Sequence, residues 1–345
     1  MSLPRISSIN PAFHHGEIAL QKKLGIDKEI GERTNGFIRS YMPEQHRLFF
    51  TSSPFTVLAL VDDEGFPVAV PVWGEGDFIE SPSPTQLRFR LQVHVWNMML
   101  GTLNLDVISG SKIGIVGIEY ATRRRNRLNG TINHATKGNL TVLVDQSFGN
   151  CPQYIHKRNT TKIQRLAIDG HPENNASYNV NMTTTTTNVI DTRARTIIES
   201  AETFFIASRH SSLGQEANEG LDVSHRGGKA GFVNVKGNTI TFPDFSGNKF
   251  FNTLGNILLD PRVGLCFWDN ETGDLFFVKA KAKVEPIESK ASMIKGAEFK
   301  RAVFKGAERF VSLSVMSVTH IAGIYPYSHE ITDMSPNALQ TGDWK

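Results

Sequence analysis

Cysteine is nearly absent. The 345 residues hold only Cys151 and Cys266, far apart and in no CxxC, so neither a disulfide framework nor a cysteine-built metal site is available. A cytoplasmic, reducing location is expected. Long apolar runs are missing: no stretch approaches the roughly 18–20 residues that span a bilayer. The opening MSLPRISSINPAFHHGE has no apolar core of the signal-peptide kind, so no membrane partner is expected. Charge of one sign is missing as well. Lys plus Arg is 37, Asp plus Glu is 34, and the net charge is +3, which speaks against a nucleic-acid partner. No GxSxG, no strand-following GxGxxG and no HExxH is present, and the 11 histidines show no ligand spacing; no metal is expected. His14 and His15 read as surface or packing residues. Ser224 and His225 are neighbours in an extended segment and point to opposite faces, so they cannot work as nucleophile and base. Cys151 reads as a buried thiol.

What remains is an ordinary globular composition, 39% hydrophobic and 21% charged, in a chain long enough for two domains. GEIALQKKLGI and PEQHRLFF carry helical spacing near the N-terminus. Strand-like runs follow: FTVLALV, FPVAVPVW, QLRFRLQV, KIGIVGIEY and LTVLVDQ, separated by Gly, Pro, Asp and Ser. The polar stretch 169–192, with its threonine run, reads as a linker or solvated loop, and RTIIESAE as a short helix. A second strand-rich block holds TFFIAS, AGFVNV, TITFP, VGLCFW, LFFVKAKAKV and RFVSLSVMSV. The blocks resemble each other at an offset of about 150 residues: FTVLALV matches TFFIAS, and WNMMLGTLNLD…KIGIVG matches FFNTLGNILLD…VGLCFW. A repeat of that length is a duplicated domain. Many short strands with few helices predict a mainly β fold, one antiparallel barrel per half.

Two polar constellations stand out. TRRRNRLNG packs Arg123, Arg124, Arg125 and Arg127 together; in extended form Arg123, Arg125, Arg127 and Asn129 share one face. Such a face suits either an anion or a solvated edge strand, and these alternatives are about equal on the residues alone. In the other half, Asp222, Ser224 and Arg226 share a face of GLDVSHRGG. FPDFSGNKFF leads from strand to helix, where Ser246 or Asn248 could cap the helix start beside Lys249. Phe251, Leu254, Ile257 and Leu258 form one face of that helix, and Pro261 ends it.

GLDVSHRGGKAGFV, FPDFSGNKFFNTLGNILLDPRVGLCF and NRLNG…VDQSFGNCPQYI, in that combination, resemble the pyridoxamine 5'-phosphate oxidase-like, FMN-binding split-barrel family over most of residues 40–320. The resemblance implies two tandem six-stranded antiparallel Greek-key split barrels with short helices. The expected division is an N-terminal helical extension (1–36), barrel one (37–168), a polar linker (169–192), barrel two (193–325) and a tail (326–345). It implies one FMN site between the barrels, since the motifs are divided unequally. Barrel two keeps Ser224, Arg226, Asp244, Gly247, Asn248 and Lys249; barrel one keeps Arg125, Arg127, Asn129, Gln146, Asn150 and Gln153. The other inter-barrel site is expected to be degenerate. The function implied is an FMN-dependent oxidoreductase acting on a small-molecule substrate. The alternative is a non-catalytic flavin- or haem-binding protein for storage or sensing, since relatives of the fold also take haem or F420. No side chain is assigned a catalytic role. The tail YPYSHEITDMSPNALQTGDWK has one Trp and no Arg, unlike the substrate-contacting end of the vitamin B6 oxidases, so that activity is not implied. The assembly expected is a monomeric pseudo-dimer or a homodimer.

Overall fold

Alternating apolar and polar residues, as in QLRFR (86–90), fold as strands with one face buried, whereas FTVLALV is covered on both faces. In the computed structural model, which describes residues 12–163, 183–214, 216–287 and 305–344, barrel one is built from β1 (Phe55–Val61), β2 (Pro67–Trp73), β3 (Ile79–Ser83), β4 (Gln86–Arg90), β5 (Lys112–Glu119), β6 (Arg124–Thr136) and β7 (Asn139–Asn150). Two short strands follow, β8 (Lys157–Lys162) and β9 (Thr184–Thr187). Barrel two is built from β10 (Thr203–Arg209), β11 (Leu221–Gly227), β12 (Asn234–Lys236), β13 (Thr239–Phe245), β14 (Arg262–Trp268), β15 (Leu275–Glu285) and β16 (Ala307–Ile321). The last strand, β17 (Tyr327–Asp333), pairs with β8.

The two sheets have the same topology. One runs β2-β1-β5-β6-β7-β4-β3 and the other β11-β10-β14-β15-β16-β13-β12, antiparallel throughout. A short edge strand, β3 or β12, joins the six expected in each half. Equivalent positions can be read from the pairing. In barrel one Ala59 faces Ala69 on one side and Gly114 on the other. In barrel two Ala207 faces Val223 and Gly264.

The barrels meet through these equivalent glycines. A Cβ on Gly114 would lie 2.9 Å from the Leu221 carbonyl oxygen of β11, and one on Gly264 would lie 2.0 Å from the Pro67 carbonyl oxygen of β2. Backbone therefore lies on backbone at two related places, which only a residue without a side chain allows. The apolar cluster is continuous across the contact, joining Val57, Ile115 and Val116 of barrel one to Phe205, Val223 and Phe277 of barrel two.

Helices α1 (His15–Lys23) and α2 (Asp27–Thr34) precede barrel one, and α3 (Glu44–Thr51) leads into it. Within the barrels, α4 (Val93–Asn97) runs into a π-helical turn (Met98–Thr102); α5 (Thr192–Ser200) precedes β10, and α6 (Asn252–Leu259) lies between β13 and β14. Helix α1 crosses α6 closely because both are glycine at the crossing: a Cβ on Gly16 would stand 2.4 Å from the Gly255 carbonyl oxygen.

Two sequence expectations change. The threonine run is not a loop: Thr184–Thr187 pairs with Val318–Ile321 as an edge strand, consistent with the β preference of a branched side chain. The earlier part of the expected linker, up to residue 182, lies outside the described residues. AGFVNV is strand only from Asn234; a turn at Lys229–Phe232 precedes it, with Gly231 at φ 89°.

Candidate functional site

Strand β6 carries Arg125 and Arg127 two residues apart, and the pleat sends both toward barrel two. They meet the matching alternation on β11. Arg127 Nη1 donates to Asp222 Oδ1 at 3.0 Å and to Asn252 Oδ1 at 2.8 Å, and its Nη2 donates to Ser224 Oγ. Ser224 and Thr253 hydroxyls both donate to Asp222 Oδ2, at 3.1 and 3.2 Å. This network is buried. Burial lowers the Arg127 pKa, and the Asp222 carboxylate opposes that shift.

Arg125 is placed differently. Its Nη1 donates to the His225 carbonyl at 3.2 Å; its Nη2 donates to Asn150 Oδ1 at 3.1 Å and to the Cys151 carbonyl at 2.9 Å. It is buried, yet among the described residues no carboxylate forms an ion pair with it. Burial first, then the neighbouring Arg127 and Arg226, pulls its pKa down to about 9. A buried cation without a counter-ion is costly.

These residues border a cavity of about 120 Å³ between the barrels. Ten of the twelve sequence-derived residues line it: Arg125, Arg127, Asn150, Gln153, Ser224, Arg226, Asp244, Gly247, Asn248 and Lys249. Arg226 Nη1 donates to Asp244 Oδ1 at 2.7 Å, Lys249 Nζ lies 3.8 Å from Glu308, and Asn248 Nδ2 donates to Asn150 Oδ1 at 3.2 Å across the two barrels. Four N–H donors on lining residues are buried without a partner: Arg125 Nε, Arg127 Nε, Arg226 Nε and Asn150 Nδ2. Such donors are rare in folded proteins.

Asn129 and Gln146 do not line the cavity. Asn129 stands opposite Gly114, where β11 comes closest; with its amide oriented to satisfy both groups it donates to the Leu221 carbonyl at 3.2 Å. Gln146 Nε2 donates to the Ala12 carbonyl at 2.9 Å, under the N-terminal segment.

Other expectations also shift. Neither Ser246 nor Asn248 caps α6, which starts only at Asn252 with no side-chain cap. Asn248 Oδ1 instead accepts from the Phe250 N–H within the loop, and Lys249 and Phe251 both take left-handed backbone, φ 63° and 64°. On α6, Leu254 and Ile257 are buried, while Leu258 is exposed. Arg123 leaves the shared face because it sits in the turn before β6 at φ 59°, where it pairs with Asp333 at 2.8 Å. Cys151 is half-exposed at the cavity wall.

Sequence reasoning missed Glu17. It enters from α1, is fully buried, and accepts from Asn252 Nδ2 and from the His14 N–H at 2.8 Å. Burial pushes its carboxyl up to about 8 against those hydrogen bonds. Nothing in GEIALQ signals this, because its environment is supplied by α6. Asn252 and Thr253 were also missed as polar residues; they sit at the start of a mostly apolar helix.

Among the described residues no helix is long and apolar enough to cross a membrane, and no group of His, Cys, Asp and Glu could hold a metal ion. No family model matches the chain, and no curated protein matches it. Solved structures do. A pyridoxamine 5'-phosphate oxidase candidate from Lactobacillus delbrueckii is 16% identical, covering 38% of this chain and 94% of its own, with a TM-score of 0.28. HutZ, the haem storage protein of Vibrio cholerae, is 9% identical over 39% of this chain and 94% of its own, TM-score 0.27. An F420 reductase is 13% identical over 39% and 94%, TM-score 0.22. Each spans less than half of this chain.

Proposed function

We propose that the cavity between the barrels binds FMN by its phosphate and that the protein is a flavin-dependent oxidoreductase acting on a small molecule. The observation that carries this reading is Arg125, a buried guanidinium with no carboxylate partner among the described residues. A phosphate dianion would supply the missing charge and accept the unpaired N–H groups of Arg125, Arg127, Arg226 and Asn150. The residues fit the phosphate end of the cofactor. At about 120 Å³ the cavity is well below the ~300–1,000 Å³ of pockets that enclose drug-sized ligands, so the ring requires the mouth to widen. The lining includes Tyr154, which stacks on Phe245 at 5.2 Å, and the loop residues Gly247, Asn248, Lys249 and Phe251.

FMN, when bound, supplies the electron transfer. The chain supplies charge and orientation. Arg127 is fixed by Asp222, Ser224 and Asn252, and Arg226 by Asp244. Both are thus held before any ligand arrives, which lowers the cost of ordering them. Asn150 Nδ2 and Gln153 offer amide groups at the cavity wall.

A non-catalytic binding role is the second reading, and one observation favours it. The lining carboxylates Asp244 and Glu308, and Asp222 in the adjoining network, are all engaged by cations, and burial holds His225 neutral. No free acid or base is left beside the cavity among those residues.

Titration of the protein with FMN and with riboflavin, followed by quenching of flavin fluorescence, tests the phosphate reading. FMN is expected to bind at least about tenfold more tightly, and Arg125→Met to remove most of that difference. Equal affinity for the two flavins would refute it. Reduction of bound FMN by a nicotinamide donor separates the enzyme from the binding protein.

A further inference from the structure

A second cavity lies between the barrels, against β2, β15, β16 and the π-helical turn after α4. This cavity has a volume of about 590 Å³.

The strand register accounts for two of its lining residues, Phe277 and Val68. Gly114 faces Asn129, and Val116 faces Arg127. Gly264 faces Lys279, and Cys266 faces Phe277. Since Gly114 and Gly264 are equivalent, Phe277 stands where barrel one has Arg127, and Leu275 stands where it has Arg125. On the facing strands, Leu60 pairs with Val68 and Leu58 with Val70, while Ser208 pairs with Asp222 and Ile206 with Ser224. Val68 and Val70 therefore occupy the places of Asp222 and Ser224. Each member of the buried Arg127 network on these strands has an apolar counterpart.

The remaining charge is already balanced. Lys279, at the position of Asn129, is held by Asp62 at 2.6 Å and Glu64 at 3.0 Å. The walls bring two aromatic rings, Phe66 and Phe277, together with Val68 and Leu103. Hydroxyl and amide groups of Thr102, Asn104, Thr186, Asn188, Ser317 and Thr319 also line it, and Thr186 Oγ1 bonds Thr319 Oγ1 at 3.0 Å. The threonine strand β9 thus has a place in the fold: it supplies one wall.

We propose that this second cavity is a binding site for an uncharged aromatic small molecule, distinct in chemistry from the cationic cavity on the other side. With Lys279 already paired to Asp62 and Glu64, an anion finds no compensation there for lost hydration. Two rings and aliphatic side chains beside neutral hydroxyl and amide groups match an uncharged ring compound with hydrogen-bonding substituents. The volume lies inside the ~300–1,000 Å³ range of ligand pockets.

The test uses N-phenyl-1-naphthylamine, an uncharged fluorophore, with the full chain. Saturable binding of one dye per chain, with a blue-shifted emission, is expected. It should persist in Arg125→Met, because that residue lies in the other cavity. Thr186→Trp fills the cavity from an exposed edge strand with little risk to folding, and Val68→Arg places a charge in its wall. Each is expected to weaken the dye by at least about tenfold. Non-saturable binding would overturn the proposal. So would unchanged affinity in a Thr186→Trp protein that melts like the parent, or tighter binding of the anionic dye 8-anilinonaphthalene-1-sulfonate.

Discussion

Alanine at Gly264 and at Gly114 makes a matched pair of perturbations. The positions are equivalent in the two barrels, yet the space differs. At Gly264 the new Cβ would stand 2.0 Å from the Pro67 carbonyl oxygen and 2.9 Å from Val68 Cα. Both neighbours are backbone, so no rotamer change relieves them; β14 and β2 must part by at least about 1 Å. Overpacking of a well-packed contact costs about 1–3 kcal/mol, and a main-chain clash of this depth belongs at the upper end. At Gly114 the Cβ would meet the Leu221 oxygen at 2.9 Å and its carbon at 3.1 Å, which a shift of a few tenths of an ångström relieves, for about 1 kcal/mol. Thermal unfolding by circular dichroism should show Gly264→Ala lowering Tm by about 4 °C and Gly114→Ala by about 1–2 °C. Only Gly114→Ala displaces Leu221 and Asp222, so it alone should weaken FMN. A neutral Gly264→Ala, or equal losses at the two sites, would refute the close approach of the barrels on which both cavities depend.

Replacing Arg127 or Arg226 by alanine should each weaken FMN retention although they lie in different halves; a fluorescence titration in which only one matters would break the shared site. Glu17 gives a pH signature. Its carboxyl is raised from the ordinary 4.5 to about 8 by burial, so the folded chain holds a proton that the unfolded chain has lost. Stability is fully present below about 4.5 and declines as pH rises toward 8, by about 3 kcal/mol at pH 7. Urea midpoints measured between pH 6.5 and 8 should slope downward in the parent and flatten in Glu17→Gln. The histidines act on the acid side. Burial lowers His14 and His46 to about 4 and His329 to about 3, so their contribution is present above 6.5 and fades as pH falls toward those values. Acid unfolding should therefore set in below pH 6.5, and His46→Gln should shift its midpoint downward.

Legibility in the sequence followed the range of the interaction. FTVLALV, KIGIVGIEY and VGLCFW announce strands because β-branched and aromatic residues fill them. The match of KIGIVG to VGLCFW made the two strands counterparts, and the pairing adds that Gly114 answers to Gly264. Alternation on β11 put Asp222, Ser224 and Arg226 on one face, and the structure adds that Arg127 meets the first two. Asn129 was aimed at the cavity by the same alternation, but β11 rests on its neighbour Gly114 and leaves no space there. Gln146 was claimed by Ala12, a contact across 134 residues that no local pattern encodes. The start of α6 was misjudged because the loop before it uses left-handed residues, Lys249 and Phe251, rather than a capping side chain. Glu17 depends wholly on how α1 docks onto α6.

The fusion of both barrels into one chain has an outcome that two separate copies could not reach. In a symmetric pair every substitution is made twice, so any change to one recess is imposed on its twin. Here Arg127 and Phe277 occupy matching places under separate codons. One recess can therefore be altered for a new guest while the other keeps its charge, and the molecule can carry two different occupants without assembling from unlike subunits.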